Sequence, residues 1–224
     1  MEKIKQNPFV KKVGFNRIVL CCVLLLMYGL FCALTGGSFA GMNRIMSALN
    51  YAYFLGFLSL GVTFVIATGQ IDFSIGPVMF CCALMSGYTL TTHGISMPVA
   101  FLISILVGFA FGLFNGYLVA YWSEPSFITS MASMNIANGL ASVYTKTQSV
   151  SWPQAADPDN GWFRNLVRYN GFPVGLVILL VVAVICAIIL NKTRIGRYIL
   201  CLGSNKEAVR LSGVDVKKWE MLAF

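Results

Sequence analysis

The sequence predicts an all-α, polytopic membrane protein of about six transmembrane helices with a short helix in a cytoplasmic loop. Three observations predict it. Hydrophobic residues make up 58% of the 224 residues and charged residues 11%, with a mean hydropathy of +0.77, far from the balance of a soluble domain. The uncharged runs Ile18–Leu34, Ile45–Ile71, Phe73–Ser123, Pro125–Thr145 and Tyr169–Asn191 match the length of about 20 residues that crosses a bilayer as a helix, and Phe73–Ser123 holds two such lengths. The basic residues are distributed unevenly. Lys3, Lys5, Lys11, Lys12 and Arg17 precede the first run, and Lys192, Arg194, Arg197, Lys206, Arg210, Lys217 and Lys218 follow the last.

Those are twelve of the sixteen basic residues, on two segments that six spans leave on one side; Arg44, Lys146, Arg164 and Arg168 fall on the other. The positive-inside rule then predicts a cytoplasmic N-terminus and a cytoplasmic region after Asn191. The formal net charge of +8 serves orientation against membrane lipid, and nucleic acid is not expected as a partner.

Residues 1–17 read as a cytoplasmic basic arm. The first helix runs from Ile18 to about Leu34 and stops at Thr35-Gly36-Gly37. Ser38-Phe39-Ala40 resembles a cleavage site, but the preceding apolar core is longer than usual for a secretory signal and more spans follow, so an uncleaved helix is expected. Gly41–Asn50 reads as a short external or interfacial segment, and the second span as Tyr51–Thr68. The third span, about Phe73–Thr92, ends before Met97-Pro98. The fourth, about Val99–Trp122, carries Gly108, Gly112 and Gly116 at intervals of four, a stripe that lets helices approach closely in lipid.

Pro125 suits the start of the fifth helix, about Phe127–Tyr144. That helix is polar for a span, and Ser130, Ser133, Asn138 and Ser142 recur at helical spacing, so a polar stripe facing neighbours or a watery route is expected. The segment 145–172 is the sizeable external loop, rich in turn residues and tryptophan. The sixth span, Pro173–Leu190, is almost purely aliphatic and is expected at the lipid-facing rim. These six spans make up a transmembrane domain over residues 18–190.

No phosphate-binding loop or zinc-protease motif is present. The seven cysteines include two adjacent pairs without Cys-x-x-Cys spacing and read as packing residues. His93, the only histidine, lies at a membrane edge. Neither an enzyme site nor a metal or other cofactor is expected.

Two stretches stand out. Gly69-Gln70-Ile71-Asp72-Phe73-Ser74-Ile75-Gly76 puts a lone acid into a glycine-bracketed break between spans. An intramembrane carboxylate is retained where it is satisfied or used. Asp72 reads either as the N-cap of the third span, with Ile75 and Gly76 as donors, or as a solute or cation contact. Residues 191–218 form the second stretch. Ser204 or Asn205 caps a short helix through about Ser212, with Glu207 near its positive end and Gly213 as its stop. Its apolar Ala208, Val209 and Leu211 suit either a groove on a soluble partner or anionic headgroups.

The break at 69–76 resembles the Gly-Gly-Ile-Asp-Leu-Ser-Val-Gly signature of ribose-type monosaccharide permeases of ATP-binding cassette (ABC) importers. Pro125-Ser126-Phe127-Ile128-Thr129 with Asn138-Gly139-Leu140, and the segment Thr193–Val216, resemble two further runs of that family in the same order. Gln70 stands where the family has glycine, Phe73 where it has leucine, Ser126 where it has proline, Asn138 where it has a basic residue, and Val209 where it has alanine.

The resemblance implies a permease subunit that catalyses no reaction itself. Implied partners are a second permease subunit, cytoplasmic ABC ATPases and a periplasmic or lipoprotein solute-binding protein, in a bacterial inner membrane. Gly69, Gln70, Asp72, Ser74, Gly76, Thr129, Ser133 and Asn138 are expected along the pathway or its gate. Gly203, Asn205, Glu207, Ala208, Val209, Leu211 and Gly213 are expected to couple to the ATPase. Such permeases continue for further spans, which makes residues 219–224 the start of another. The rival readings are an ion-coupled transporter using Asp72, a structural membrane subunit without a solute path, and a permease for branched-chain amino acids or nucleosides.

Overall fold

The computed structural model describes residues 15–167, 169 and 172–224, with side chains from residue 19 onward. Most of the basic arm and Arg168 therefore lie outside the described residues. The regular elements among those described are helices, with one isolated bridge between Tyr169 and Phe172. They divide into two units, 1–49 and 50–224.

In the first unit, α1 (Phe15–Leu34) ends where the glycines require it. Gly36 and Gly37 take φ of 58° and 84°, and the Gly37 N–H donates to the Cys32 carbonyl at 2.8 Å. A left-handed glycine closes the helix without a Cβ penalty. Phe39, in the 3-10 turn Ser38–Ala40, packs on Tyr28 and Phe31 with ring centroids 5.6 and 5.5 Å apart.

The expected segment 41–50 is not a separate element. Helix α2 runs over Met42–Ala67. Nothing between Met42 and Gly56 breaks a helix, and the Arg44 and Ile45 amides already bond the Gly41 carbonyl.

In the second unit, α3 (Ile75–His93) closes at left-handed Gly94, whose N–H donates to the Leu90 carbonyl at 3.1 Å. Helix α4 (Met97–Tyr121) starts with Pro98 in its first turn, where a missing N–H costs nothing. Helix α5 (Ser126–Tyr144) follows Pro125. It buries Ser126, Thr129, Ser130, Ser133, Ala137 and Ala141, one face at helical spacing. Those small side chains let α5 lie close to α3 and α4, and Cys81, Phe111, Ala137 and Ala141 meet in one core cluster.

The loop after α5 folds over the turn between α3 and α4. Trp152 and Phe163 pack against Leu90, Met97 and Ala100, and Asn160 Oδ1 accepts the Met97 N–H at 3.2 Å. Helix α6 (Val174–Lys192) buries only Gly175, where a Cβ would stand 2.7 Å from the Tyr53 ring.

The segment after Asn191 is more ordered than a loop with one capped helix. It comprises α7 (Arg194–Ser204), α8 (Lys206–Leu211) and α9 (Val216–Ala223). Ser204 ends α7, and Asn205 alone caps α8, accepting the Ala208 N–H at 3.0 Å. Helix α9 lies on the glycine stripe of α4. A Cβ on Gly112 would come within 2.8 Å of the Phe224 carbonyl oxygen, and one on Gly116 within 2.7 Å of that of Met221. Within the chain, then, two of the three stripe glycines admit the backbone of the α9 segment.

Among the described residues, α2, α3, α4 and α6 are long and apolar enough to cross a membrane. Of the six expected spans, the first is helical with an apolar stretch Val19–Leu34. The fifth is a helix of 19 residues that falls short in composition because it carries Asn135 and Asn138 as well as its serines and threonine. The chain is a multi-pass, all-α membrane protein.

Candidate functional site

The break between α2 and α3 is built from two local devices. At the end of α2, Gly69 is left-handed with φ 82°. Its N–H donates to the Ile66 carbonyl at 2.9 Å, and that of Gln70 reaches back to Val65 at 3.3 Å. This is the paired closure of a Schellman end, which satisfies carbonyls that lipid would leave unpaired. The following turn is tied by Asp72, whose Oδ1 accepts from the Ser74 N–H at 2.7 Å and the Ser74 hydroxyl at 2.6 Å. The expected cap on Ile75 and Gly76 is therefore corrected. The carboxylate holds Ser74 two residues on, an Asx turn, and Ser74 occupies the N-cap position without a side-chain cap bond of its own.

From Ser74 a buried hydrogen-bonded chain crosses three helices. Asn115 Nδ2 donates to Ser74 Oγ at 2.9 Å, and the Ser133 hydroxyl donates to Asn115 Oδ1. Ser74 and Asn115 are each 2% exposed and Ser133 is fully buried. Such a network rigidifies its surroundings when every member is satisfied. Among the described residues no buried side-chain nitrogen or oxygen lacks a partner. A second fastening joins the break to α5, where the Ile71 N–H donates to Ser126 Oγ at 3.1 Å.

Asp72, Ser74 and Asn115 form the polar corner of a cavity of 310 Å³, otherwise lined by apolar residues including Leu58, Val78 and Phe111. An apolar recess with a few convergent polar groups is the usual form of a small-molecule site.

Of the sequence-predicted pathway residues, Asp72, Ser74 and Ser133 come together here. Thr129 is buried on the same face of α5. Gly69 and Gln70 lie inside the break, while Gly76 meets no steric demand, since a Cβ there would find nothing within 4 Å. Asn138 is exposed and does not join the network. Asn115 was missed by sequence reasoning, although a lone amide in a long uncharged run is the signal that singled out Asp72.

The helices after Asn191 meet the break directly. Gly203 packs so closely on the end of α2 that a Cβ there would collide with the Ala67 carbonyl oxygen. Glu220, only 3% exposed, accepts from Gln70 Nε2 at 2.8 Å and from Lys206 Nζ at 2.8 Å on both carboxylate oxygens.

Val209, expected as part of an apolar docking face, is instead 7% exposed and clusters with Leu202 and Val216. A six-residue helix turns one apolar side chain inward to hold itself to its neighbours. Leu211 is 83% exposed, and Ala208 is exposed beside it. Glu207 is exposed and paired with Arg210 at 2.9 Å, and Gly213 takes φ 79° after α8.

The family described as branched-chain amino acid transport system / permease component matches residues 44–224. The chain belongs to this permease family. It is 29% identical, over 99% of its length, to a fructose import permease protein of Bifidobacterium longum (FruF), covering 65% of that protein. It is 31% identical to a second such protein of the same organism (FruG), over 84% of this chain and 57% of the relative. The ribose import permease protein RbsC of Escherichia coli is 30% identical over 84% of this chain and 58% of its own length. The chain thus spans about three fifths of the length of these relatives. No solved structure matches it.

Proposed function

We propose that this chain is part of the transmembrane permease subunit of an ABC importer that moves a monosaccharide or similar small polar solute across a bacterial inner membrane. The observation that carries this reading is the family match over residues 44–224, joined by relatives that are named as import permeases for fructose and ribose. Those names favour a monosaccharide over a branched-chain amino acid or nucleoside.

On this reading two permease subunits line the path, a periplasmic or lipoprotein binding protein delivers the solute, and separate cytoplasmic ATPases hydrolyse ATP. The N-terminus and residues 191–218 lie in the cytoplasm, as the placement of twelve of the sixteen basic residues supports. The ATPase docks on the outer face of α8, at Ala208 and Leu211, with Asn205, Glu207 and Gly213 shaping that helix. The break and its polar chain border the pathway and shift as access alternates between the two sides.

The test is uptake of radiolabelled fructose, ribose and xylose by cells carrying the full-length permease with its ATPase and binding protein. Uptake of one of these sugars that survives a protonophore and stops when the ATPase is inactivated is the expected result. Uptake abolished by the protonophore while ATP is maintained overturns it in favour of ion coupling through Asp72.

A further inference from the structure

We propose that Gln70, Glu220 and Lys206 form the link through which movement of α8 reaches the break between α2 and α3. The inference rests on the importer reading and goes beyond it. It assigns these three side chains a positioning role that the family's sequence pattern does not contain, since Gln70 stands where the resembling signature has a glycine.

The geometry is specific. Glu220 is a buried carboxylate, and burial of a charge is tolerated only when it is paired and hydrogen-bonded. Its donors come from two separate elements. Lys206, the first residue of α8, spans both carboxylate oxygens at 2.8 Å, and Gln70, inside the break, donates at 2.8 Å. Side chains 150 positions apart in sequence thus meet at one anion.

Helix α8 has few other anchors. Val209 is its one buried residue, while Leu211 is 83% exposed. A partner that pulls on the outer face of α8 therefore loads the Val209 contact and the Lys206–Glu220 pair. The Lys206 side chain is 55% exposed and that of Glu220 4%, so the carboxylate is the fixed end of the pair and the lysine its movable end.

Beyond Gln70 the chain of contacts continues into the site. Ile71 is held to α5 through Ser126, and Asp72 is held through Ser74 to Asn115 and Ser133. Glu220 also sits on α9, whose backbone rests on Gly112 and Gly116, the latter next to Asn115. Movement of Glu220 thus acts on the network from both sides. Coupling between distant sites needs such a contiguous set of packed and hydrogen-bonded groups, together with direct evidence of coupling.

The experiment uses the full-length permease, reconstituted with its ATPase and binding protein, and reads radiolabelled fructose or ribose imported per ATP hydrolysed. Gln70→Gly and Gln70→Ala are expected to lower that ratio about tenfold, the weight of one hydrogen bond to a charged group, more than the accompanying loss of thermal stability accounts for, with ATP hydrolysis held near wild type. Glu220→Gln alone is expected to lower it as well. Gln70→Glu combined with Glu220→Gln exchanges donor and acceptor, keeps an amide oxygen at position 220 as acceptor for Lys206, and is expected to restore the ratio to within about twofold. An unchanged ratio in Gln70→Gly overturns the link. So does a loss matched by an equal loss of stability, or an exchange variant no better than its single parents. Wild-type uptake that does not need ATP overturns the importer reading itself.

Discussion

The side-chain amide of Asn115, in the C-terminal third of α4, donates to the hydroxyl of Ser74 at 2.9 Å across 41 positions of sequence. That bond joins the break to the helix bundle, because Ser74 is held on its other side by Asp72 and Asn115 is held by Ser133.

Removing Asn115 leaves two buried hydroxyls short of a partner. Asn115→Ala is expected to destabilise the full-length permease in detergent by about 1–3 kcal/mol. Ser133→Ala, which removes a single donor, is expected to cost less. Thermal unfolding of the two variants beside wild type checks the order, and equal stability in all three contradicts the network's role.

Asp72 works here as an acceptor for two donors on one residue. Asp72→Asn keeps an acceptor oxygen at the same place, whereas Asp72→Ala removes it. On the proposed importer reading, most solute uptake is therefore expected to survive in the Asn variant and to be lost in the Ala variant at equal membrane levels. If both lose uptake equally, the charge itself is required and the turn-holding account fails.

The glycines of α4 are expected to differ from one another. Alanine at Gly112 or Gly116 puts a Cβ 2.8 or 2.7 Å from a backbone carbonyl, an overpacking worth about 1–3 kcal/mol. At Gly108 the nearest atom is Cys82 Sγ at 3.6 Å, an ordinary contact, so Gly108→Ala is expected to be close to neutral. Thermal unfolding of the three variants in one detergent separates them.

Leu211 and Val209 also part company. Burying a leucine is worth about 1.5–3 kcal/mol, so on the proposed docking of an ATPase at α8, Leu211→Asp is expected to weaken its co-purification by at least about tenfold without lowering stability. Ala208→Arg is expected to act in the same direction. Val209→Asp is expected to disrupt the α7–α9 segment itself, read as lowered thermal stability. Undiminished co-purification in Leu211→Asp and Ala208→Arg, with ATP-driven uptake intact, would leave α8 to the membrane surface.

Orientation is open to direct labelling. In a cysteine-free background, single cysteines replacing Asp159 and Ser204, both exposed, are treated in intact cells with a thiol reagent that cannot cross the membrane. Labelling at 159 and not at 204 is expected, and the reverse overturns the topology.

What the sequence by itself determined is what depends on near neighbours along the chain. Length and apolarity place the long apolar helices, Gly36, Gly37, Gly69, Gly94 and Gly213 mark the left-handed ends, and Ser204-Asn205 marks a cap that the structure puts on Asn205, because each is decided by backbone sterics and hydrogen bonds within a few residues. The acid in the break was equally legible, since an isolated charge stands out in an uncharged run.

Only the tertiary structure decided which polar groups meet. Asn115 on Ser74, Gln70 on Glu220, and α9 on Gly112 and Gly116 are contacts between distant segments, set by how helices cross rather than by local periodicity. The same holds for Val209. In a helix of six residues, too short for a periodic pattern to single out one face, the inward side chain is chosen by Leu202 and Val216, which belong to other helices.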